Sequence, residues 1–253
     1  MHRIIQAKLR EIEAQEHVRI LHCVESGSRA WGFASPGSDY DVRFLYVRRA
    51  EDYLRLDKTR DVIEWQLDDV LDINGWDLQK ALRLLHKSNS TLFEWNNSPI
   101  VYKTTAVWQD IARMCEQFFD EKASLYHYMS MGKSNARNNL CAEQVKLKKY
   151  FYVLRSVLAC RWIMDRHAPP PVCFHDLVKA CLPKALAPEV ESLLEIKLHA
   201  PEQAYGSRRD VLNDYISRSF ADIEDYVNSM PKARPASWER LNSLFLEQVM
   251  KAS

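Results

Sequence analysis

A short stretch near the N-terminus holds the residues whose types and spacing are best suited to chemistry. Gly27 and Ser28 form a small turn after one apolar run, and Asp39 and Asp41 stand at the head of another. Residues two apart in a strand share a face, so both carboxylates are expected to project together from the start of one strand. Adjacent carboxylates repel unless a cation neutralises them.

The turn and the carboxylates together predict a site for a metal-bound triphosphate. Mg²⁺ takes hard oxygen ligands and commonly shares them with substrate phosphates. Gly27 allows the backbone to approach a phosphate closely, and the hydroxyl and amide of Ser28 are donors for it. The alternative for such a pattern is a turn followed by a solvated, acidic strand end.

Apolar patterning predicts the elements that position these residues. Residues 18–24 and 42–47 are short apolar runs typical of buried strands, and residues 62–67 and 71–76 resemble a hairpin. Residues 4–16 and 78–85 carry apolar side chains at helical spacing. From residue 107 onward the spacing is helical, with segments predicted at 107–119, 122–131, 137–165, 174–181, 190–198, 211–230 and 238–250.

Two sequence strings resemble a known signature. Residues 25–33 read Glu-Ser-Gly-Ser-Arg-Ala-Trp-Gly-Phe, and residues 38–43 read Ser-Asp-Tyr-Asp-Val-Arg. They resemble the DNA polymerase beta-type nucleotidyltransferase superfamily, in which a Gly-Ser pair is followed by Asp-x-Asp after roughly ten residues. They are most similar to its RlaP or YcgL branch of predicted nucleotidyltransferases, which is associated with RNA-repair operons. The resemblance is sharpest over residues 24–47, 72–102 and 146–163.

The resemblance implies an α+β fold and a set of site residues. We expect a catalytic domain at residues 1–104, with a mixed β-sheet flanked by helices, and an all-α domain at residues 105–253. A third metal-binding carboxylate is expected on a neighbouring strand, and Asp72 is preferred to its rival Asp77, which suits an N-cap. The implied metal and catalytic residues are Asp39, Asp41 and Asp72; the implied nucleotide-binding residues are Gly27, Ser28, Arg29, Ser38, Lys148 and Arg155.

A basic segment supplies the last two of those residues. Residues 133–166 contain eight basic and two acidic side chains. Lys148 and Arg155 share one helical face with Tyr152, and a cationic face is suited to the phosphates of a nucleotide. The alternative is a solvated basic face, and the pattern leaves open whether Tyr152 is a core residue or stacks on a base.

Composition limits the remaining possibilities. The 253-residue chain has a net charge of +1, which gives no global basic field of the kind nucleic-acid binders often show. Its six cysteines form no Cys-x-x-Cys pair, as expected for free thiols in a reducing cytoplasm. No apolar run approaches the ~20 residues of a membrane span. We therefore expect a soluble cytoplasmic protein.

The residues and the resemblance together predict an enzyme. The expected activity is Mg²⁺- or Mn²⁺-dependent transfer of a nucleoside monophosphate from an NTP to an acceptor hydroxyl, with release of pyrophosphate. An RNA 3′ end, a small molecule and a protein side chain all remain open as the acceptor, and the oligomeric state is not predicted. The alternative is an inactive module that binds nucleotide or RNA on the same fold.

Overall fold

The structure is a computed structural model that describes residues 1–68, 70–199, 204–231 and 236–252. Contacts divide these residues into two compact units. The first unit contains Met1–Ala30, Asp39–Phe118 and the described C-terminal residues from 236 onward. The second contains Trp31–Ser38 and the described residues between 119 and 231.

The described residues form seven β-strands and twelve α-helices, each numbered in chain order. The strands are β1 (Arg19–Glu25), β2 (Tyr40–Val47), β3 (Val62–Asp68), β4 (Leu71–Asp77), β5 (Val101–Thr104), β6 (Gln144–Lys146) and β7 (Tyr205–Ser207). The helices are α1 (His2–Gln15), α2 (Gly27–Ala30), α3 (Ala50–Tyr53), α4 (Leu78–His86), α5 (Ser90–Asn96), α6 (Ala106–Cys115), α7 (Glu121–Asn139), α8 (Lys148–Arg166), α9 (Phe174–Cys181), α10 (Ala187–His199), α11 (Asp210–Ser229) and α12 (Glu239–Ala252). None of the described helices has both the length and the apolarity that crossing a membrane requires.

A five-stranded mixed sheet organises the first unit. Its strand order is β3-β4-β2-β1-β5, and β2 and β4 are parallel while the other neighbours are antiparallel. Side chains alternate between the two faces of a strand, and Val42 on β2 is paired with Ile73 on β4. Both join the apolar cluster that contains Ile5 and Leu9 of α1, so α1 covers this face.

Aromatic contacts show what covers the other face. Trp76 lies on the opposite side of β4 from Ile73, and its ring centroid is 4.3 Å from that of Trp95 in α5. His22 of β1 stacks on Trp108 of α6 at 4.4 Å. Helices α5 and α6 therefore pack on the face away from α1, and the beginning of β2 and β4 on that face carries polar residues instead.

The second unit is mainly helical and is packed around α8. Helices α7, α9 and α11 contact α8, and Phe151, Leu154 and Leu158 on α8 are completely buried. A small antiparallel pair, β6 with β7, belongs to the same unit. Phe33 packs here as well, against Phe151.

The structure confirms the α+β class, with a helix-flanked mixed sheet in one region and a helical region after it. The hairpin of β3 and β4 and the helix over residues 174–181 also agree with the sequence pattern. The first unit extends past residue 104, because α6 packs on β1 and α12 packs on α4 and β2.

One helix prediction is wrong. The expected helix over residues 137–165 is divided between α7 and α8, with β6 between them. Helix α7 ends at a pair of asparagines, which are weak helix formers, and β6 pairs with β7 much later in the chain. A pattern of neighbouring residues cannot reveal this pairing, because β7 is far from β6 in the sequence.

Candidate active site

The register of the parallel strands brings two predicted carboxylates together. Asp41 on β2 is paired with Asp72 on β4, so their side chains project from the same face. That face is the one opposite α1, because Val42 and Ile73 point into the α1 cluster. The side chain of Asp41 is 24 % exposed and that of Asp72 is 49 % exposed. Both carboxylates are thus accessible at the start of the strand pair.

Arg43 links the two carboxylates. Its Nη2 donates to Asp41 Oδ1 at 2.8 Å and to Asp72 Oδ2 at 2.7 Å. Its Nη1 donates to the backbone oxygens of Val42 and Asp72, each at 3.1 Å. The guanidinium is thereby fixed between β2 and β4, and its positive charge is paired with both carboxylates.

Gly27 packs directly against Asp41. Its φ of +59° lies in the left-handed region, and a Cβ built on it would stand 1.9 Å from Asp41 Oδ2. Only glycine satisfies both requirements without strain or collision. The Ser26 amide also donates to the backbone oxygen of Asp41 at 2.8 Å. The turn after β1 therefore fixes the position of the Asp41 carboxylate.

Glu25 supports Asp41 from inside the protein. This residue is completely buried, and its Oε1 accepts a hydrogen bond from the Asp41 amide at 2.9 Å. The hydroxyl of Tyr102 on β5 donates to Glu25 Oε2. Burial raises the pKa of Glu25, and the hydrogen bonds from Tyr102 and Asp41 oppose that rise. A buried, hydrogen-bonded carboxyl thus anchors the backbone of a candidate metal ligand.

The other predicted residues of the first unit surround this pair. Asp39 is exposed and immediately precedes β2, and its backbone oxygen accepts from Arg29 Nε at 3.0 Å. The Arg29 guanidinium carbon lies 3.6 Å from the centre of the Tyr40 ring. Ser28 is buried in α2, beside Gly27. The structure therefore brings together Gly27, Ser28, Arg29, Asp39, Asp41 and Asp72.

Asp77 occupies the opposite end and the opposite face of β4. It is paired with Tyr46 and is 3 % exposed. Its Oδ1 accepts from the Gln79 amide at 2.7 Å, which makes it the N-cap of α4, and its Oδ2 accepts from the Tyr53 hydroxyl at 2.8 Å. Both oxygens are committed to the fold, as the sequence suggests for an N-cap.

The remaining predicted residues belong to the second unit. Ser38 is buried, and its hydroxyl accepts from the Ser35 amide at 3.0 Å. Lys148 is half-buried at the start of α8. Arg155 is 2 % exposed, and its guanidinium carbon lies 4.5 Å from the centre of the Trp31 ring. Arg155 is thus a packed residue of the α8 core, and phosphate binding by Lys148 and Arg155 stays a prediction.

The charges in the first unit fit a hard cation. Burial raises the pKa of Asp41; Arg43 opposes the rise, and the charges of Asp39 and Asp72 add to it. Arg43 pairs with two of these three carboxylates, whose oxygens are the ligands that Mg²⁺ or Mn²⁺ prefers. Within the residues that the structure describes, no three His, Cys, Asp or Glu side chains converge closely enough to hold an ion. The donor set is suitable, and Arg43 lies between two of its members.

Sequence reasoning did not identify Arg43, Glu25 or Tyr102 as site residues. Arg43 has a local signal, since it is two residues after Asp41 on a strand and must share its face. Glu25 is a charged residue directly after an apolar strand pattern, which gives no indication of burial. Tyr102 meets Glu25 only through the pairing of β1 with β5.

Comparisons with known proteins show which sequences this chain is similar to. Residues 1–247 match the family described as "RlaP: RNA repair pathway DNA polymerase beta family". "Uncharacterized protein YcgL" of Bacillus subtilis (strain 168) is 42 % identical over 246 residues, which are 96 % of this chain and 94 % of the relative. The chain also aligns over its whole length with 80 % of a nucleotidyltransferase-like protein from Exiguobacterium sibiricum 255-15, at 15 % identity and a TM-score of 0.32. The match over nearly the entire sequence shows that the chain belongs to the RNA repair pathway DNA polymerase beta family.

Proposed function

We propose that this chain is a metal-dependent nucleotidyltransferase that moves a nucleoside monophosphate from an NTP to a hydroxyl acceptor. The observation that carries the proposal is the pairing of Asp41 with Asp72, with Gly27 packed against the Asp41 carboxylate. Family membership supports a polymerase beta-like nucleotidyltransferase. An RNA end is the acceptor that the name of the family favours.

Each residue of the first unit has a role in this proposal. Asp39, Asp41 and Asp72 hold Mg²⁺ or Mn²⁺, which when bound would polarise the α-phosphate and neutralise the departing pyrophosphate. The Gly27-Ser28 turn binds phosphate oxygens through its amides and the Ser28 hydroxyl. Asp72 is the more exposed carboxylate of the pair, so it is the group that we expect to take the proton of the acceptor hydroxyl.

Glu25 and Gly27 have positioning roles. Glu25 accepts from the Asp41 amide, and the absence of a side chain at Gly27 leaves the space that the Asp41 carboxylate occupies. Together they restrict Asp41 to one orientation. Pre-organisation of this kind avoids rearrangement during the reaction, which is where enzymes gain much of their rate.

The test is a transfer assay with a matched variant. The chain is incubated with Mg²⁺ or Mn²⁺ and each α-labelled NTP, with and without RNA carrying a free 3′ hydroxyl. We expect a labelled product together with pyrophosphate. Asp41→Asn keeps the shape of the side chain but removes a charged metal ligand, so the rate should fall on the order of a hundred-fold or more while the circular dichroism spectrum stays unchanged.

A second candidate function follows from Arg43, which already neutralises part of the negative charge of Asp41 and Asp72. On that basis the chain would bind nucleotide or RNA without turnover. Absence of labelled product and of pyrophosphate in every combination, with an NTP-dependent rise in melting temperature, would support the binding module and contradict the transferase.

A further inference from the structure

We propose that Arg43 is a built-in counter-ion that takes the place of the metal between Asp41 and Asp72 and moves away when the metal binds. The inference rests on the proposed function, because it assigns a regulatory role within the same carboxylate site. It makes the affinity of the site for a metal ion depend on a side chain that is not itself a ligand.

The first support is the geometry of the arginine. One nitrogen, Nη2, lies 2.8 Å from Asp41 Oδ1 and 2.7 Å from Asp72 Oδ2, which are short, charge-assisted hydrogen bonds. A single positive group therefore bridges the carboxylates that the metal needs. The Nη1 bonds to two backbone oxygens hold the guanidinium in that place.

The second support is the competition for oxygen lone pairs. An ion held by Asp41 Oδ1 and Asp72 Oδ2 would need the lone pairs that now accept hydrogen bonds from Arg43 Nη2. Like charges repel, so the guanidinium and the ion cannot share the space between the carboxylates. Binding of an ion at these two oxygens would therefore displace the Nη2 hydrogen bonds.

The third support is the chemistry of the released side chain. A guanidinium presents five donors in a planar fork and binds phosphate oxygens in pairs. The Arg43 side chain is 19 % exposed, and its guanidinium is paired with two accessible carboxylates. When the metal ion binds together with a nucleotide, the displaced Arg43 guanidinium can pair with a phosphate group. When the metal ion binds alone, no phosphate is present to pair with it. Metal and nucleotide should therefore favour each other's binding.

The experiment measures Mn²⁺ binding to the full chain without nucleotide, by calorimetry and by the electron paramagnetic resonance signal of free Mn²⁺. Arg43→Gln should bind Mn²⁺ about tenfold more tightly than the parent chain, the equivalent of ~1.4 kcal/mol. Arg49→Gln is the matched control: it makes the same charge change at an exposed residue whose ion-pair partner is Glu51. That variant should bind Mn²⁺ within about twofold of the parent.

Two further variants complete the test. Arg43→Lys keeps the charge but loses the fork, so it should bind Mn²⁺ more tightly than the parent and less tightly than Arg43→Gln; it also serves if the glutamine variant does not fold. The double variant Asp41→Asn, Arg43→Gln should not show the tighter Mn²⁺ binding of Arg43→Gln. That result would assign the added affinity to the carboxylate site. If the Arg43 variants bind Mn²⁺ no more tightly than the parent, the proposal is overturned. A gain in Mn²⁺ affinity without labelled product in the transfer assay would support the Arg43 proposal while contradicting the transferase.

Discussion

The two ends of the parallel pair β2 and β4 place the same type of residue in opposite circumstances. At the start, Asp72 is half exposed and its carboxylate accepts a hydrogen bond from the Arg43 side chain. At the end, Asp77 is buried, and both of its oxygens accept from groups fixed by α3 and α4. An aspartate becomes a candidate ligand when its oxygens are accessible and its partner is replaceable; residue type alone does not decide this.

The strongest test of this difference compares Asp72→Asn with Asp77→Asn. Loss of a metal ligand at residue 72 should lower the transfer rate on the order of a hundred-fold or more. Asparagine at residue 77 keeps an oxygen for the Gln79 amide and is a good N-cap, so transfer should stay within about threefold of the parent. Rates come from pyrophosphate release, and melting temperatures check that both variants fold.

Equal losses in the two variants would remove the distinction between the two ends of the strands. A greater loss of transfer rate in Asp77→Asn would make Asp77 the third ligand. In that case the Asp77 carboxylate would have to give up its N-cap hydrogen bond to α4.

A smaller effect is expected from crowding the accessible end. Gly27→Ala places a methyl group on the Asp41 carboxylate and forces a left-handed backbone on alanine, which costs about 1–2 kcal/mol. Transfer should fall about tenfold or more through displacement of Asp41. Gly37→Ala is the matched control, since a Cβ at Gly37 meets no atom within 4 Å. We expect it to change the free energy of unfolding by no more than about 0.5 kcal/mol.

If Gly27→Ala retained full activity, the close approach of Gly27 to Asp41 would have no role in positioning that carboxylate. The measurement is the transfer rate at saturating NTP, together with urea unfolding of both alanine variants.

The smallest expected effect on transfer is at the buried end, where the change is in stability and its response to pH. Burial raises the pKa of Asp77 to about 6, against the hydrogen bonds from Tyr53 and the Gln79 amide. Folding favours the protonated form of Asp77, so this group's contribution to stability is complete below the ordinary aspartate pKa of 3.8 and is lost as pH rises through about 6. The loss is about 3 kcal/mol, because one pKa unit corresponds to about 1.4 kcal/mol.

Asp77→Asn should remove that part of the pH dependence, because asparagine does not ionise. Melting temperatures measured from pH 4 to pH 7 on both chains provide the comparison. Parallel curves would contradict the raised pKa of Asp77.

Short-range patterns were sufficient for most of the elements. Alternating or continuous apolar residues identified β1, β2 and the β3–β4 hairpin, and the Gly27-Ser28 and Asp39–Asp41 strings identified the family. The same patterns failed where the partner is remote. The β6 strand depends on Gly206 and its neighbours on β7, so its segment resembled a continuous helix.

The candidate site shows the same limit. Asp72 is paired with Asp41, and Asp77 caps a helix; the choice of Asp72 as the third ligand stays a prediction. What a local pattern cannot supply is register, and a shift of one residue would have turned Asp72 to the α1 face. A local pattern does not predict burial either. Spacing places Arg155 on the same helical face as Lys148, but Arg155 is buried and packs on Trp31 within the core of its unit.

The parallel register also decides when the protein acquires its site during folding. Asp41 and Asp72 are joined by no tight turn, because parallel strands need a long connection, here α3 and β3. Arg43 and Asp72 are 29 positions apart in the chain, and contacts of such separation form only after the loop between them has closed. A chain in which β2 and β4 have not yet paired therefore contains every candidate ligand, but Asp41 and Asp72 do not yet face each other. Recovery of activity after denaturation would report the completion of this long-range pairing, and an incomplete chain ending before Leu71 would carry the family signature without being able to use it.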